Sequence, residues 1–173
     1  MEKSALSAFA TTFDALGIGW VLIGALAANR YRGSPRFTKD VDVLISDERL
    51  EHARLEAALC AAGWDVTKAD AEGELLRLRH PVLGRADVLV AGTEYQREAI
   101  LRARVEKIEG GAEIPVLRVE DVIVHKLIAG RAQDIADIEA ILDTRLRLDR
   151  AFIERWAEFW DVVDRWRAVS AAG

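Results

Sequence analysis

The stretch from Val21 to Ile45 reads VLIGALAANRYRGSPRFTKDVDVLI and decides the fold. Its apolar start, 20–23, runs directly into a glycine, which predicts a buried strand followed by a tightly packed helix over 24–30. A polar loop containing Gly and Pro follows over 32–39. The β-branched segment 40–45 alternates acidic and apolar residues at its start, which predicts a second strand. A strand, a helix and a strand in such short succession indicate an α/β protein.

The pattern outside this stretch supports a mixed sheet followed by a helical segment. An amphipathic helix is predicted over 2–16, and from 119 onward the apolar spacing is wholly helical. We therefore expect an α/β (α+β) fold with an α/β core over 1–118 and a C-terminal helical bundle, 119–173, packed on it. The other predicted strands are 64–67, 75–79, 86–91 and the edge strands 105–108 and 114–117 around Gly110-Gly111. The other predicted helices are one capped at 46–49 that runs to 62, then 94–101, 119–129, 132–143 and 149–169.

Composition and charge exclude several classes of protein. The chain has 173 residues, 51% of them hydrophobic, which is enough for a core and argues against disorder. No apolar run approaches the roughly 18 residues of a membrane span, and the charged start of the chain is unlike a signal peptide. The net charge of −5 argues against extended contact with duplex DNA. With Cys60 as its one cysteine, the chain has no zinc motif, and we expect a cytoplasmic protein.

Three aspartates carry the chemistry that the sequence suggests. Asp40 and Asp42 are two apart on a predicted strand, so both carboxylates project from one face. Asp87 opens another apolar strand, and if the two strands are neighbours the three acids meet at one sheet edge. Adjacent carboxylates repel each other unless cations neutralise them, and Mg²⁺ prefers such oxygen ligands. The alternative is a solvated strand face, which the Asp-x-Asp pair alone does not exclude.

Gly24 begins a predicted helix directly after a buried strand. The free N–H groups and positive dipole end of a helix N-terminus suit a phosphate group. Tight packing of helix on strand explains the same small residues. The segment lacks the three glycines of a dinucleotide fingerprint, and the chain has no Walker A motif.

These motifs, taken in order, resemble the nucleotidyltransferase superfamily related to DNA polymerase beta. The resemblance rests on Val21-Leu22-Ile23-Gly24-Ala25, on Arg36-Phe37-Thr38 before Asp40-Val41-Asp42, and on the later Asp87. The Arg-x-Thr-x-Asp-hydrophobic-Asp pattern is similar to the AbiEii-like toxin-type nucleotidyltransferases. Their later helical motif is matched by 119–127, Gly130-Arg131 and 134–137. Ala25 departs from the pattern, which has Gly or Ser at this position, so a side-chain contact to phosphate is lost while the backbone N–H remains.

The resemblance implies a role for each residue that matches a motif. Asp40 and Asp42 would bind the Mg²⁺ ions that hold an NTP, and Asp87 would complete the metal site and help to deprotonate an acceptor hydroxyl. The resemblance implies that five residues bind the nucleotide: Gly24, Ala25, Arg36, Thr38 and Lys126. Three of these residues also have a purely structural interpretation. Lys126 could be an ordinary surface lysine, and Arg36 and Thr38 could order the loop or form a salt bridge with Asp40 or Asp42.

Two further patterns have a structural and a functional interpretation. Asp134 and Asp137 are three apart on one helix face, where they orient Lys126 or Arg131, or cap the helix and pair at the surface. His125 has no evident partner in the sequence.

The last predicted helix carries an aromatic stripe, which packs inside the protein or forms a homodimer or toxin–antitoxin interface. The stripe consists of Phe152, Trp156, Phe159, Trp160, Val163 and Trp166.

The first functional hypothesis is therefore a Mg²⁺-dependent nucleotidyltransferase. It would move NMP from an NTP to a hydroxyl group of RNA, of a protein or of a small molecule, in a toxin–antitoxin or phage-defence setting. The alternative is an inactive module of the same fold that acts through a protein partner. Ala25 and the aromatic helix are the features that suggest it. A plain structural domain is a third reading, which would be stabilised by neutralising Asp40 and Asp42.

Overall fold

The computed structural model of this chain describes residues 4–46, 51–70, 73–108 and 111–172. The described residues divide into two compact units. Unit 1 comprises those of Met1–Ile23 and Thr38–Leu117, and unit 2 comprises those of Gly24–Phe37 and Arg118–Gly173. The segment 24–37, which the sequence analysis assigned to the α/β core, therefore groups with the C-terminal helices.

Unit 1 contains a mixed sheet of seven described strands, as predicted for the fold class. The sheet has the order β3-β4-β5-β2-β1-β7-β6, with parallel pairing of β2 with β5 and of β1 with β7. The other neighbouring strands are antiparallel. The strands are β1 (Trp20–Leu22), β2 (Asp40–Ile45), β3 (Asp65–Lys68), β4 (Leu75–His80), β5 (Gly84–Val90), β6 (Arg104–Lys107) and β7 (Glu113–Val116).

The position of β7 differs from the prediction. β6 is an edge strand as expected, but β7 lies between β6 and β1, where Leu22 pairs with Val116. The sequence indicates only that β7 is a short strand. Its parallel partner β1, which places it in the interior of the sheet, is remote along the chain. Its alternate residues Ile114 and Val116 are fully buried, as an interior strand requires.

Three helices of unit 1 pack around this sheet: α1 (Ala5–Leu16), α3 (His52–Ala61) and α4 (Glu94–Leu101). Phe9 and Phe13 of α1 are fully buried, and the ring of Phe9 stacks on that of Trp64 with 5.0 Å between centroids. α4 begins with a complete capping box, in which the Thr93 hydroxyl and the Gln96 side chain satisfy each other's backbone N–H groups. The cap predicted at 46–49 for α3 lies largely outside the described residues; α3 begins at His52.

Unit 2 contains five described helices: α2 (Gly24–Ala28), α5 (Val119–Ala129), α6 (Ala132–Leu142), α7 (Arg150–Phe159) and α8 (Val163–Ala172). The prediction of one helix over 149–169 is wrong, because the chain breaks between α7 and α8. Asp161 has a φ of 55° there, a left-handed conformation that aspartate tolerates better than most residues. No helix among the described residues has the length and apolar character needed to cross a bilayer.

The helix break divides the aromatic stripe into two parts. Trp166 on α8 is 4% exposed and belongs to the core of unit 2. On α7, however, the buried residues are Ile153 and Ala157, and Phe159 is 69% exposed. The rings of α7 instead contact each other edge to face along the helix, from Phe152 to Trp160. Core packing therefore explains Trp166, and a partner interface on α7 stays a prediction.

The His125 side chain is partly buried within unit 2, with its Nε2 atom shielded from solvent. Burial disfavours the imidazolium and lowers the pKa of His125 to about 4, although the nearby Asp121 carboxylate acts in the opposite direction. The neutral ring is the form that the fold accommodates, so His125 behaves as a residue of the interior.

Replacing His125 with Gln should reduce the pH dependence of stability between pH 6.5 and 4. The unfolded chain takes up a proton near pH 6.5 and the folded chain only near 4, so folded stability is lost as the pH falls through this window. Between pH 7 and pH 4.5 the wild type should lose about 2 kcal/mol more free energy of unfolding than the variant. Urea denaturation at pH 7 and pH 4.5 checks this, and equal losses in the two proteins would contradict it.

Candidate functional site

The register of two central strands brings two of the predicted acids together. β2 and β5 pair in parallel with Asp42 opposite Asp87. Residues opposite each other on neighbouring strands project from the same face, with Cα atoms about 5 Å apart. Both side chains are partly exposed, whereas Val43 and Val88, the next residues in the same register, are fully buried. Asp42 therefore lies just before the fully buried half of β2, and Asp87 stands beside it on β5.

Asp40 lies on the same face, two residues before Asp42, and it has a cationic partner. Arg85 stands opposite Asp40 in the register and donates to both of its carboxylate oxygens, from Nε at 2.8 Å and from Nη2 at 3.4 Å. Both side chains are about half exposed. Arg85 was not predicted as a site residue because the strand was expected to begin at 86; the alternation of Arg85 with Asp87 was the available signal.

The chemistry of this donor set fits a divalent cation such as Mg²⁺. The described residues contain no group of three or more His, Cys, Asp or Glu side chains that surrounds a single ion position. Mg²⁺ does not need such a cage, because it is commonly held by one or two carboxylates together with substrate phosphates and water. Asp42 and Asp87 supply two hard oxygen donors side by side, which meets that requirement.

Thr38 orders the chain just before β2. Its hydroxyl donates to the main-chain oxygen of Asp40 at 3.4 Å, a contact with the backbone and not with the carboxylate. This is the loop-ordering interpretation that the sequence left open for Thr38.

In unit 2, α2 is a helix of only five residues. Gly24 has a φ of +66°, a left-handed conformation in which any side chain is strained, so a glycine is required here by the backbone. Ala25 is 7% exposed. One helical turn has a small dipole, so the predicted phosphate contact of Gly24 and Ala25 depends mainly on their backbone N–H groups.

Lys126 is buried and paired, so the surface-lysine interpretation is wrong. It is 5% exposed, and its Nζ lies 2.9 Å from Oδ1 of Asp134 and 2.7 Å from Oδ2 of Asp137. Asp134 also accepts hydrogen bonds from the Arg131 guanidinium, at 2.6 Å from Nε, and from the Arg131 backbone N–H. Asp134 thus both caps α6 and orients Lys126, so helix capping and orientation of the lysine are combined in one side chain.

Arg36 pairs with Asp137 of α6, within unit 2. Its guanidinium makes a two-pronged contact, from Nε to Oδ1 at 2.8 Å and from Nη2 to Oδ2 at 3.0 Å. Arg32 also donates to Oδ1 of Asp137 through Nη1. Asp137 has no exposed surface. Arg32 was missed because nothing in the local sequence links it to a carboxylate on a distant helix.

These ion pairs outweigh the effect of burial on the two carboxylates. Burial alone would raise the pKa of Asp137, but hydrogen bonds from Arg36 and Lys126, and the charges of both, lower it to about 2. The pKa of Asp134 is likewise lowered, because Arg131 and Lys126 overcome its burial. Both side chains are therefore anionic at neutral pH.

Removing the charge of Asp137 should flatten the stability profile at acid pH. The pKa of its carboxyl in the folded state lies below the unfolded value of 3.8, so its contribution is complete above pH 4 and is lost as the pH falls toward 2. Asp137→Asn should remove about 2 kcal/mol of this pH dependence and lower stability at pH 7. Thermal unfolding from pH 7 to 2.5 measures both effects. The expectation is refuted if the variant loses as much stability below pH 4 as the wild type.

Replacing Gly24 with Ala should destabilise the protein by about 1 kcal/mol, because alanine is strained in the left-handed region. Gly33→Ala is the matched control in the same unit. Its φ is not in the left-handed region, and an added Cβ would meet Thr144 at an ordinary 3.7 Å. Chemical denaturation compares the two variants, and equal effects would show that the conformation of Gly24 is not the cause.

Three solved structures have a similar fold. An antigenic nucleotidyltransferase-like protein from Paracoccidioides brasiliensis has a TM-score of 0.61 and 18% identity, over 96% of this chain and 89% of that one. The antibiotic-resistance factor ANT(2'')-Ia has a TM-score of 0.58 and 16% identity, over 95% and 92%. The lincosamide antibiotic adenylyltransferase LnuA, with lincomycin bound, has a TM-score of 0.53 and 14% identity, over 81% and 98%. At these identities the likeness establishes the nucleotidyltransferase fold alone.

The sequence itself matches a family. No curated protein matches the chain at a significant level. A family model for the nucleotidyl transferase AbiEii toxin of type IV toxin–antitoxin systems, however, matches residues 6–169, which is nearly the whole chain. The predicted resemblance is thereby confirmed, and this chain belongs to the AbiEii nucleotidyltransferase toxin family.

Proposed function

We propose that this protein transfers a nucleoside monophosphate from an NTP to an acceptor hydroxyl, with Mg²⁺ as the metal. The observation that carries the proposal is the register of β2 and β5, in which Asp42 and Asp87 stand side by side on one face. Two adjacent carboxylates repel each other, and this cost is removed when a cation binds between them. Membership of a nucleotidyltransferase family agrees with this assignment.

In the proposed reaction the acceptor hydroxyl oxygen bonds to the α-phosphorus of the NTP. The bond from that phosphorus to the bridging oxygen breaks, and pyrophosphate leaves with the electron pair. Asp40, Asp42 and Asp87 would hold the metal, and Asp87 would also accept the hydroxyl proton, directly or through water. Divalent cations bound by these carboxylates would neutralise the charge that develops on the phosphate oxygens.

The remaining predicted site residues have binding roles in this proposal. In unit 2, the cationic groups of Arg36 and Lys126 suit phosphate oxygens, and Gly24 and Ala25 offer backbone N–H groups. Lys126 uses two carboxylate contacts, which leaves one of its three N–H bonds for a further acceptor. In unit 1, Thr38 holds the backbone at the start of β2.

The acceptor and the biological setting extend the proposal. RNA, protein and small-molecule hydroxyls are all candidate acceptors, and the name of LnuA shows that this fold has a small-molecule example. The family description, a type IV toxin–antitoxin system, supports a toxin role with an antitoxin partner. A cytoplasmic location follows from this proposed role.

The second candidate is a module that binds nucleotide without turnover. The contact between Arg85 and Asp40 favours it, because a guanidinium already neutralises one of the three acids. Ala25 in place of the family's Gly or Ser points the same way. This candidate predicts nucleotide binding with no transfer of label.

The test is label transfer from each α-³²P-labelled NTP in a cell extract with Mg²⁺. The wild type should label RNA, a protein or a small molecule, and EDTA should abolish the signal. Asp42→Asn/Asp87→Asn should lower the rate by more than about a hundredfold, because the metal stabilises the transition state by several kcal/mol.

The matched control is Asp65→Asn, an exposed strand aspartate of unit 1 on β3. It should retain wild-type transfer. The proposal is wrong if the double variant is as active as the control. Binding of NTP without label transfer in every extract would instead favour the non-catalytic module.

A further inference from the structure

Asp137 is the common acceptor for three cationic side chains of unit 2. Its Oδ1 accepts hydrogen bonds from Arg32 and from Nε of Arg36, and its Oδ2 contacts Nη2 of Arg36 and Nζ of Lys126. A carboxylate has about four lone-pair sites, so this one is fully used. It also has no exposed surface, so bulk solvent does not reach it. The side chain acts as a fixed anchor for its three partners.

The segment that carries Arg36 has a second anchor. The Asn29 side chain donates to the main-chain oxygen of Arg36 at 2.7 Å and accepts from its N–H at 3.0 Å. Arg36 is therefore held at its backbone by Asn29 and at its guanidinium by Asp137. Loops rarely hold a long side chain in one conformation without such contacts, because ordering an arginine costs up to about 2 kcal/mol of rotamer entropy.

The charged cluster of unit 2, which carries more positive than negative charge, consists of Arg32, Arg36, Lys126, Arg131, Asp134 and Asp137. Arg32, Arg36 and Lys126 together contact two carboxylates, Asp137 and Asp134, and Arg131 takes part of Asp134 as well. Arg32 and Arg36 are mostly buried, with 14% and 26% of their side-chain surface exposed. Excess charge in a partly buried cluster is costly unless an anion balances it. A phosphate-rich anion has the charge and the acceptor geometry for two guanidinium groups.

We propose that Asp137 is a positioning residue, which holds Arg32 and Arg36 so that their remaining N–H groups bind the phosphates of the nucleotide. The inference rests on the proposed function, and it adds Arg32 to the phosphate-binding residues and Asn29 to the positioning residues. Nε and Nη2 of Arg36 donate hydrogen bonds to Asp137. Its Nη1 makes only a long contact of 3.4 Å with the Phe37 main-chain oxygen. Without Asp137 the two arginines lose their shared anchor.

The test is calorimetric binding of sodium tripolyphosphate to the full chain, which involves no base, no metal and no chemistry. Arg32→Gln and Arg36→Gln should each weaken binding by about tenfold, the effect of losing one strong charged hydrogen bond, and Asp137→Asn should weaken it by at least as much because both arginines lose their anchor. The double variant Arg36→Gln/Asp137→Asn should bind no more weakly than Asp137→Asn alone, because an unanchored Arg36 contributes little. A merely structural role for Asp137 lowers the melting temperature and leaves the affinity of the folded protein unchanged.

Asp121→Asn is the matched control, since Asp121 is a buried aspartate of the same unit that lies outside the cluster. It should bind tripolyphosphate like the wild type. If Asp137→Asn does not fold, Asn29→Ala replaces it, because this variant keeps every charge and frees only the backbone of Arg36. It should weaken binding severalfold, and wild-type affinity in that variant overturns the inference.

Four results overturn the inference: no binding of tripolyphosphate by the wild type, wild-type affinity in folded Asp137→Asn, wild-type affinity in Asn29→Ala, or fully additive losses in the double variant. The label-transfer assay run in parallel separates it from the proposed function. There Asp137→Asn should raise KM for the NTP more than it lowers kcat. Transfer without tripolyphosphate binding rejects only the positioning role, and the expected binding pattern without transfer rejects only the proposed activity.

Discussion

The parallel pairing of β2 with β5 is the constraint on which the candidate active site depends. Val43, Leu44 and Ile45 are fully buried, so both faces of the second half of β2 are covered. A slip of one residue would turn the acidic face of β2 toward the opposite side of the sheet. The buried half therefore holds the register, and the register brings Asp42 beside Asp87 at the exposed end.

Unit 2 depends on a different kind of constraint, a buried carboxylate shared by several cations. Asp137 joins a loop residue, Arg36, to a helix residue, Lys126, through contacts that all need charge on the carboxylate. Replacing such an acceptor leaves buried cations without a counter-charge, which is costlier than the loss of an exposed ion pair. The same contacts that stabilise this unit therefore also determine where its positive charge lies.

The accuracy of the sequence analysis followed the range of the interactions involved. The bounds predicted for β2, α4 and α5 agree with the structure, because apolar periodicity and caps act within a few residues. The break at Asp161 was missed because the apolar stripe continues across it. The interior position of β7 was missed because strand order depends on long-range pairing. The pairing of Lys126 with Asp134 and Asp137 was one of two interpretations left open, and the structure selects it.

The fold class, the family pattern and the placement of Asp40 and Asp42 on one strand face could all be predicted from the sequence alone. These follow from local backbone geometry, since strand side chains alternate whatever the rest of the chain does. Long-range packing, in contrast, brings Arg85 to Asp40, 45 residues away, and Asp137 to Arg36, 101 residues away. Such partners depend on how distant segments pack, and no periodicity within either segment specifies the residue that it will meet.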